Sequence, residues 1–213
     1  MQRTRGDGAP VSGSQYFAPR PAVTSDRREV ALLLPDRSLR IVTDRGVFGY
    51  GEVDAGTRYL LLDGPPVPTS GQLLDLGCGT GAIACTLAAR SPEAVVWAVD
   101  VNERALACCA ASAEANGLTN VRTCRPDEVP DGVRFGAIRS NPPIRVGKAV
   151  LHGLLGTWLA RLDRDGEAVL VVHKHLGSAS LAGWLGAHGW AVTRLGSRQG
   201  YRLLSILAGK DAS

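Results

Sequence analysis

The chain has little lysine, no long apolar run and no ordered spacing among its cysteines. Only Lys148, Lys174 and Lys210 stand among 24 basic side chains, so the positive charge is almost all arginine, whose planar fork suits phosphate. No apolar stretch approaches the ~20 residues of a membrane span, which excludes a helical membrane protein. The opening MQRTRGDGAPVSGSQ has no hydrophobic core of a signal peptide and reads as a disordered arm. The five cysteines, Cys78, Cys85, Cys108, Cys109 and Cys124, fit neither metal-ligand nor disulfide spacing. Inert thiols in a reducing cytoplasm are expected. Internal repeats and low-complexity tracts are also missing. What is present is 213 residues, 45% of them hydrophobic, enough for one buried core.

Charge is unevenly spread. Residues 51–138 carry a balance of −5, against +3 for residues 1–50 and +6 for 139–213. A polyanionic partner would meet the two ends rather than the middle; a solvated arginine-rich face is the plain alternative.

The pattern divides into an arm over 1–14, an N-terminal β and loop extension over 15–66, and a main body over 67–213, with the proline-rich GPPVPTSG at the boundary. REVALLL and SLRIVT predict two strands joined through Pro35-Asp36-Arg37. From residue 72 onward, apolar runs such as QLLDLG, AVVWAVD and EAVLVVHKH alternate with helical patterns. One helix is expected to end at Gly117, and another to show a stripe from Val150 through Leu151, Leu154, Leu155, Trp158, Leu159 and Leu162. Such alternation predicts a mostly parallel α/β sheet with helices on both faces.

Two motifs carry chemistry. In LLDLGCGTGAIA, Gly77-Cys78-Gly79 and Gly81 fall at a strand-to-helix junction, where backbone approaches a ligand. Asp100, followed by Val101, ends the next strand 23 residues beyond Gly77, a position suited to the two hydroxyls of an adenosine ribose. A nicotinamide or flavin site shares these features, as does simple helix–strand packing. Asp75 favours a cationic ligand, because a carboxylate there repels a pyrophosphate and attracts an ammonium and a sulfonium. S-adenosylmethionine is that ligand. Asp127, after the third strand of the body, is placed either to meet its adenine amino group or to sit in a solvated turn.

The second motif is Asn141-Pro142-Pro143-Ile144, at the end of a buried strand. The Asn141 side-chain oxygen and the Pro142 carbonyl can accept both N–H bonds of an exocyclic amine and aim its lone pair at a methyl donor. A rigid strand exit is the alternative. Arg145 and Lys148 flank the motif and suit phosphate or base contacts. His173 and His175 share a strand face, but with no third ligand no metal is expected.

DLGCGTG, AVDVNERAL and SNPPIRVGK resemble class I methyltransferases, and within them single-domain relatives of the 16S rRNA guanine-N2 methyltransferases. QYF at 15–17, TDRGVF at 43–48 and DAGTRYLL at 54–61 extend the likeness upstream. The resemblance implies a Rossmann-like, seven-stranded, mostly parallel sheet with an antiparallel last strand, and methyl transfer from S-adenosylmethionine to a guanine N2 amine. It also implies rRNA in the small subunit as partner, a cytoplasmic location, and Asp54 and Thr57 lining the cofactor site. Gln15, Gly136 and Ile144 depart from the pattern, and Ile144 offers no aromatic ring to a base. Rival readings are methylation of a DNA adenine or a protein glutamine by the same clamp, a non-catalytic cofactor-binding module, and a nicotinamide oxidoreductase.

Overall fold

The computed structural model describes residues 21–209, except for the side chains of Arg145 and Leu176. The expected arm over 1–14, Gln15 and the QYF motif lie outside the described residues. No described helix is long and apolar enough to cross a membrane.

The chain opens with a hairpin, β1 (Arg28–Leu34) against β2 (Arg37–Thr43), registered Leu34 to Arg37 around the Pro35-Asp36 turn. A glycine-rich loop leads to α1 (Ala55–Asp63). Then come β3 (Ser70–Leu76), α2 (Ala82–Arg90), β4 (Glu93–Val99), α3 (Glu103–Ala115), β5 (Val121–Cys124) and β6 (Phe135–Ser140). The chain continues through α4 (Lys148–Leu159), β7 (Leu162–His173), α5 (Ser178–Ala187), β8 (Trp190–Arg198) and β9 (Tyr201–Ala208).

The seven strands of the body lie in the order β5-β4-β3-β6-β7-β9-β8, and β9 alone runs opposite to the other six. This is the expected Rossmann-like sheet. Side chains alternate across it. Leu73, Val96, Ala98 and Ala137 join α1, α2, α3 and the hairpin residues Leu32 and Ile41 in one core. Leu74, Trp97, Val99 and Ile138 join α4 and α5 in the other. The N-terminal hairpin is thus packed into the core shared with α2 and α3.

Three local expectations shift. α3 closes on Asn116, with Gly117 just past it at φ +65°, because the following residue and not the cap itself takes the left-handed turn. Val150 in α4 is 60% exposed, since the first turn of that helix faces solvent and Leu151, Leu155, Trp158 and Leu159 do the packing. β7 starts at Leu162, earlier than the apolar run, because Leu162 pairs with Phe135 before a register shift carries the pairing on to Ala137 and Glu167.

Arg139 of β6 is 3% exposed and anchors the proline-rich connection. Its guanidinium donates to the carbonyls of Ile138, Glu167, Pro65 and Pro66, and meets the Glu167 carboxylate at 3.3 Å. Burial lowers its pKa to about 10, against the opposing pull of Glu167. Arg139→Ala leaves a carboxylate and several carbonyls short of a donor. Urea denaturation should show a loss of about 3 kcal/mol, and a loss under about 1 kcal/mol would mean that the network carries little.

Candidate active site

The order of the sheet reverses between β3 and β6, and ligands in open α/β sheets bind beyond the strand ends at such a point. Gly77-Cys78-Gly79 leaves β3 here, and Asn141 leaves β6. Ser140 seals the pair from below, its hydroxyl donating to the Leu76 carbonyl at 2.6 Å.

The glycine loop is held open by its own backbone. Gly77 and Cys78 N–H both donate to Val99 O, at 2.8 and 3.0 Å, tying the loop to the end of β4. Gly77 has φ +75°, and a side chain there would meet nothing within 4 Å. Gly81, at φ +82°, starts α2 in tight contact with α3, where a methyl group would lie 2.6 Å from Cys109 Sγ. The two glycines thus serve different ends: one leaves room above the loop, the other lets two helices close.

Asp100 braces the loop from the β4 side. Its Oδ2 accepts Gly79 N–H at 3.0 Å and its Oδ1 accepts Asn102 N–H at 2.9 Å, while burial raises its pKa. Each oxygen keeps a lone pair for a ligand. Val101 follows it, 38% exposed. Asp127 sits on a 3-10 turn after β5, its side chain 77% exposed and 3.4 Å from Arg125.

Asp75 is fully buried beneath the loop. Its Oδ2 accepts Ala84 N–H at 2.9 Å, and its Oδ1 is the one buried side-chain polar atom without a partner among the described residues. Burial, with the Asp100 charge beside it, pushes its pKa up to about 8 against the opposing Ala84 N–H. Beneath the glycine loop, this carboxyl with one unpartnered oxygen would be ionised by a cationic ligand bound above it and would repel a pyrophosphate.

A proton linkage follows. Between the unfolded and folded pKa values, from about pH 4 to pH 8, the native state holds a proton that the unfolded chain has lost. Without ligand, this group therefore costs stability as pH rises through that window. Relative to Asp75→Asn, the wild type should lose up to about 1.4 kcal/mol per pH unit in urea titrations. A pH-independent difference between the two would refute it.

Asn141 is held in one orientation. Its Nδ2 donates to Asp54 Oδ2 at 2.9 Å and to Thr57 Oγ1 at 3.0 Å. Asp54 Oδ2 also caps α1 by accepting Gly56 and Thr57 N–H, at 2.8 and 3.0 Å. Asp54 Oδ2 already accepts two backbone N–H groups, so it faces the amide nitrogen, and the side-chain oxygen is left as the free acceptor. Pro142 O accepts Ile144 N–H at 2.9 Å across Pro143, whose φ −75° and ψ 77° make an inverse γ-turn. One lone pair of that carbonyl remains. Ile144 is half-buried against the α4–α5 core. Lys148 opens α4 and is exposed, whereas the Arg145 side chain lies outside the described ones.

Asp54, Thr57, Gly77, Cys78, Gly79 and Asn141 line one cleft. Asp75, Gly81, Asp100, Val101, Asp127, Pro142, Pro143, Ile144 and Lys148 do not line it. Phe48, Val53, Thr80 and Ile83 do, though none of them had been named as a site residue. Phe48 is 45% exposed at the rim. The loop that carries it is tied down by Asn102 Nδ2 donating to Gly46 O at 2.9 Å. TDRGVF, glycine-punctuated around a phenylalanine, was the available signal. The described residues hold no group of three or more potential metal ligands.

Comparison with known proteins places this geometry. The methyltransferase small domain family matches residues 38–205. The chain is 34% identical over 168 residues to the uncharacterized protein YbxB of Bacillus subtilis (strain 168), covering 78% of this chain and 84% of that one. It is 33% identical over 154 residues to the ribosomal RNA small subunit methyltransferase C of Vibrio parahaemolyticus, covering 70% of this chain and 44% of that one. It therefore spans under half the length of that methyltransferase. Among solved structures it superposes with a TM-score of 0.70 and 27% identity on the T. thermophilus 16S rRNA N2 methyltransferase determined with AdoMet and guanosine, covering 88% of this chain and 52% of that one. A glycine cradle over a buried unpaired carboxylate, a strand-end asparagine held in one orientation and the match over residues 38–205 agree: the chain belongs to the methyltransferase small domain family.

Proposed function

We propose that this chain transfers a methyl group from S-adenosylmethionine to the exocyclic N2 amine of a guanine in small-subunit rRNA. The carrying observation is the tie from Asn141 Nδ2 to Asp54 and Thr57, which leaves the amide oxygen as a fixed acceptor in the cleft.

When bound, the cofactor supplies a methyl group on a positively charged sulfur. Gly77 and Gly79 would take its amino-acid end over the buried Asp75 carboxyl, whose ionised form its positive charge would favour, and Asp100 would take its ribose. Val101 and Asp127 would meet its adenine. Asn141 Oδ1 accepts one hydrogen of the guanine amine, and the remaining lone pair of Pro142 O accepts the other. Held by both, the nitrogen presents its lone pair in one direction, and the charge that develops on it is stabilised where it forms. A carboxamide is too weak a base to remove the proton during transfer, so the proton leaves afterwards. Asp54 and Thr57 are positioning residues, because they act through Asn141. Ile144 gives apolar contact at the edge of the base.

The cationic stretches of the chain support a nucleic-acid substrate, and the relatives named for small-subunit rRNA methylation support which one. Incubation with cofactor labelled in its methyl group and small-subunit particles should put label in the 16S RNA. Label confined to ribosomal protein would overturn the reading.

A further inference from the structure

Between Ala168 and Gly209 the chain has no Asp or Glu, while Lys174, Arg194, Arg198 and Arg202 fall within it. This acid-free unit spans the second half of β7, α5 and the β8–β9 hairpin, and Tyr201 at the hairpin tip packs on Gly56, between the cleft-lining Asp54 and Thr57. His173 at the end of β7 registers with Tyr201, which registers in turn with Arg198. Lys174 N–H donates to Gly200 O at 2.7 Å, pinning the tip to β7. Gly200 packs under His173, where a methyl group would fall 2.7 Å from Nε2.

Three rings gather at that junction. His173 and Tyr201 meet edge-on with centroids 5.0 Å apart, and His173 and His175 lie 5.5 Å apart. His173 and Tyr201 are half-buried, and His175 and Lys174 are exposed. The cluster adjoins the reactive end of the site: the Tyr201 ring packs on Gly56, next to Asp54 and Thr57, the residues that orient Asn141. The motif after Asn141 supplies no ring, since Ile144 stands there. A set of rings with exposed faces, a neighbouring ammonium and no opposing carboxylate on its own unit is what an unpaired nucleotide requires: a surface for its base and a cation for its phosphate.

We propose that the His173–His175–Tyr201 cluster, with Lys174, is a stacking platform for the unpaired nucleotide next to the methylated guanine in single-stranded RNA. This rests on RNA being the substrate. The base lies on the exposed His175 ring, and the phosphate that follows it meets Lys174. His173 and Tyr201 buttress the stack from below. The platform sets which nucleotide enters the Asn141 cleft by holding its neighbour.

The test is fluorescence anisotropy with the full chain and a labelled single-stranded RNA oligonucleotide, with thermal melting as a check that each variant is folded. His175→Ala should weaken binding about tenfold at fixed salt, within the range of one lost stacking contact. His175→Phe should restore it to within about threefold, because a ring without charge still stacks. Lys174→Gln should weaken binding and flatten its salt dependence by about one phosphate contact. Unchanged affinity in His175→Ala, or rescue by His175→Lys but not by His175→Phe, overturns the platform. Methyl transfer by the wild type is read separately. The predicted affinity pattern without transfer to RNA sinks the proposed function and leaves the platform. Transfer to RNA with affinity untouched in His175→Ala does the reverse.

Discussion

Asn141→Ala should reduce methyl transfer about 10³-fold in kcat, equivalent to about 4 kcal/mol at the transition state. Cofactor affinity should stay within about threefold, because the contacts assigned to the cofactor's ribose and amino-acid end lie in the glycine loop and Asp100. The size follows from what is lost. The variant removes one of two acceptors on a weakly nucleophilic nitrogen, and with it the geometry that aims its lone pair. The tie to Asp54 and Thr57 adds a graded control. Thr57→Val removes one of the two acceptors of Asn141 Nδ2 and should cost about tenfold in kcat, while Asp54→Ala loses the other together with the cap of α1. Asp54→Ala should also lower stability by about 1 kcal/mol. Single-turnover kinetics and calorimetry separate these effects. Transfer by Asn141→Ala above about a tenth of the wild-type rate would remove the amide from the reaction.

The largest effect on the folded state should come from Gly81→Ala. A methyl group there falls 2.6 Å from Cys109 Sγ and 2.9 Å from Cys109 Cα. The sulfur can rotate, but the backbone of α3 cannot yield without disturbing the buried Cys108, Cys109 and Ala113. Overpacking costs about 1–3 kcal/mol and the positive φ about 1–2 kcal/mol more, together a large share of the stability of a domain this size. Gly77→Ala shares the φ penalty but meets no atom within 4 Å. It should lose only about 1–2 kcal/mol, yet weaken cofactor binding far more than that, because its methyl group enters the space above the loop. Urea denaturation beside calorimetric titration should show the two losses in opposite proportion. Equal stability losses in the two variants would mean that the crowding at Gly81 is relieved locally.

Much of this was legible in the chain itself, for a physical reason. Strands buried on both faces write themselves as apolar runs, so QLLDLG and AVVWAVD announced β3 and β4. The spacing of Gly77 and Asp100 is set within one strand–helix–strand unit and survives as a local pattern. Contacts between units do not. Asp54 and Asn141 are 87 residues apart, and nothing near either one signals that a helix cap and a strand end share a hydrogen bond. The resemblance placed Asp54 and Thr57 at the site but not in their role of orienting the amide. Phe48 and Val53 line the cleft because a loop folds over the glycines, which no periodicity encodes. The early start of β7 was hidden by the polar LDRDG, a poor strand former that is extended only by pairing with Phe135. His173 and His175 read as neighbours on one strand face, but β7 ends at His173 and His175 stands on a 3-10 turn, while the meeting of His173 with Tyr201 depends on the antiparallel pairing of β7 with β9.

In the proposed reaction a fixed amide oxygen at Asn141 directs a methyl group to an exocyclic guanine nitrogen. The most direct measurement is mass spectrometry of nucleosides from 16S rRNA methylated by the purified chain, with Asn141→Ala run beside it. N2-methylguanosine should accumulate with the wild type and be absent with the variant. A methyl group on a ring nitrogen, on adenine or on a ribose oxygen, or N2-methylguanosine made equally by the variant, would contradict it.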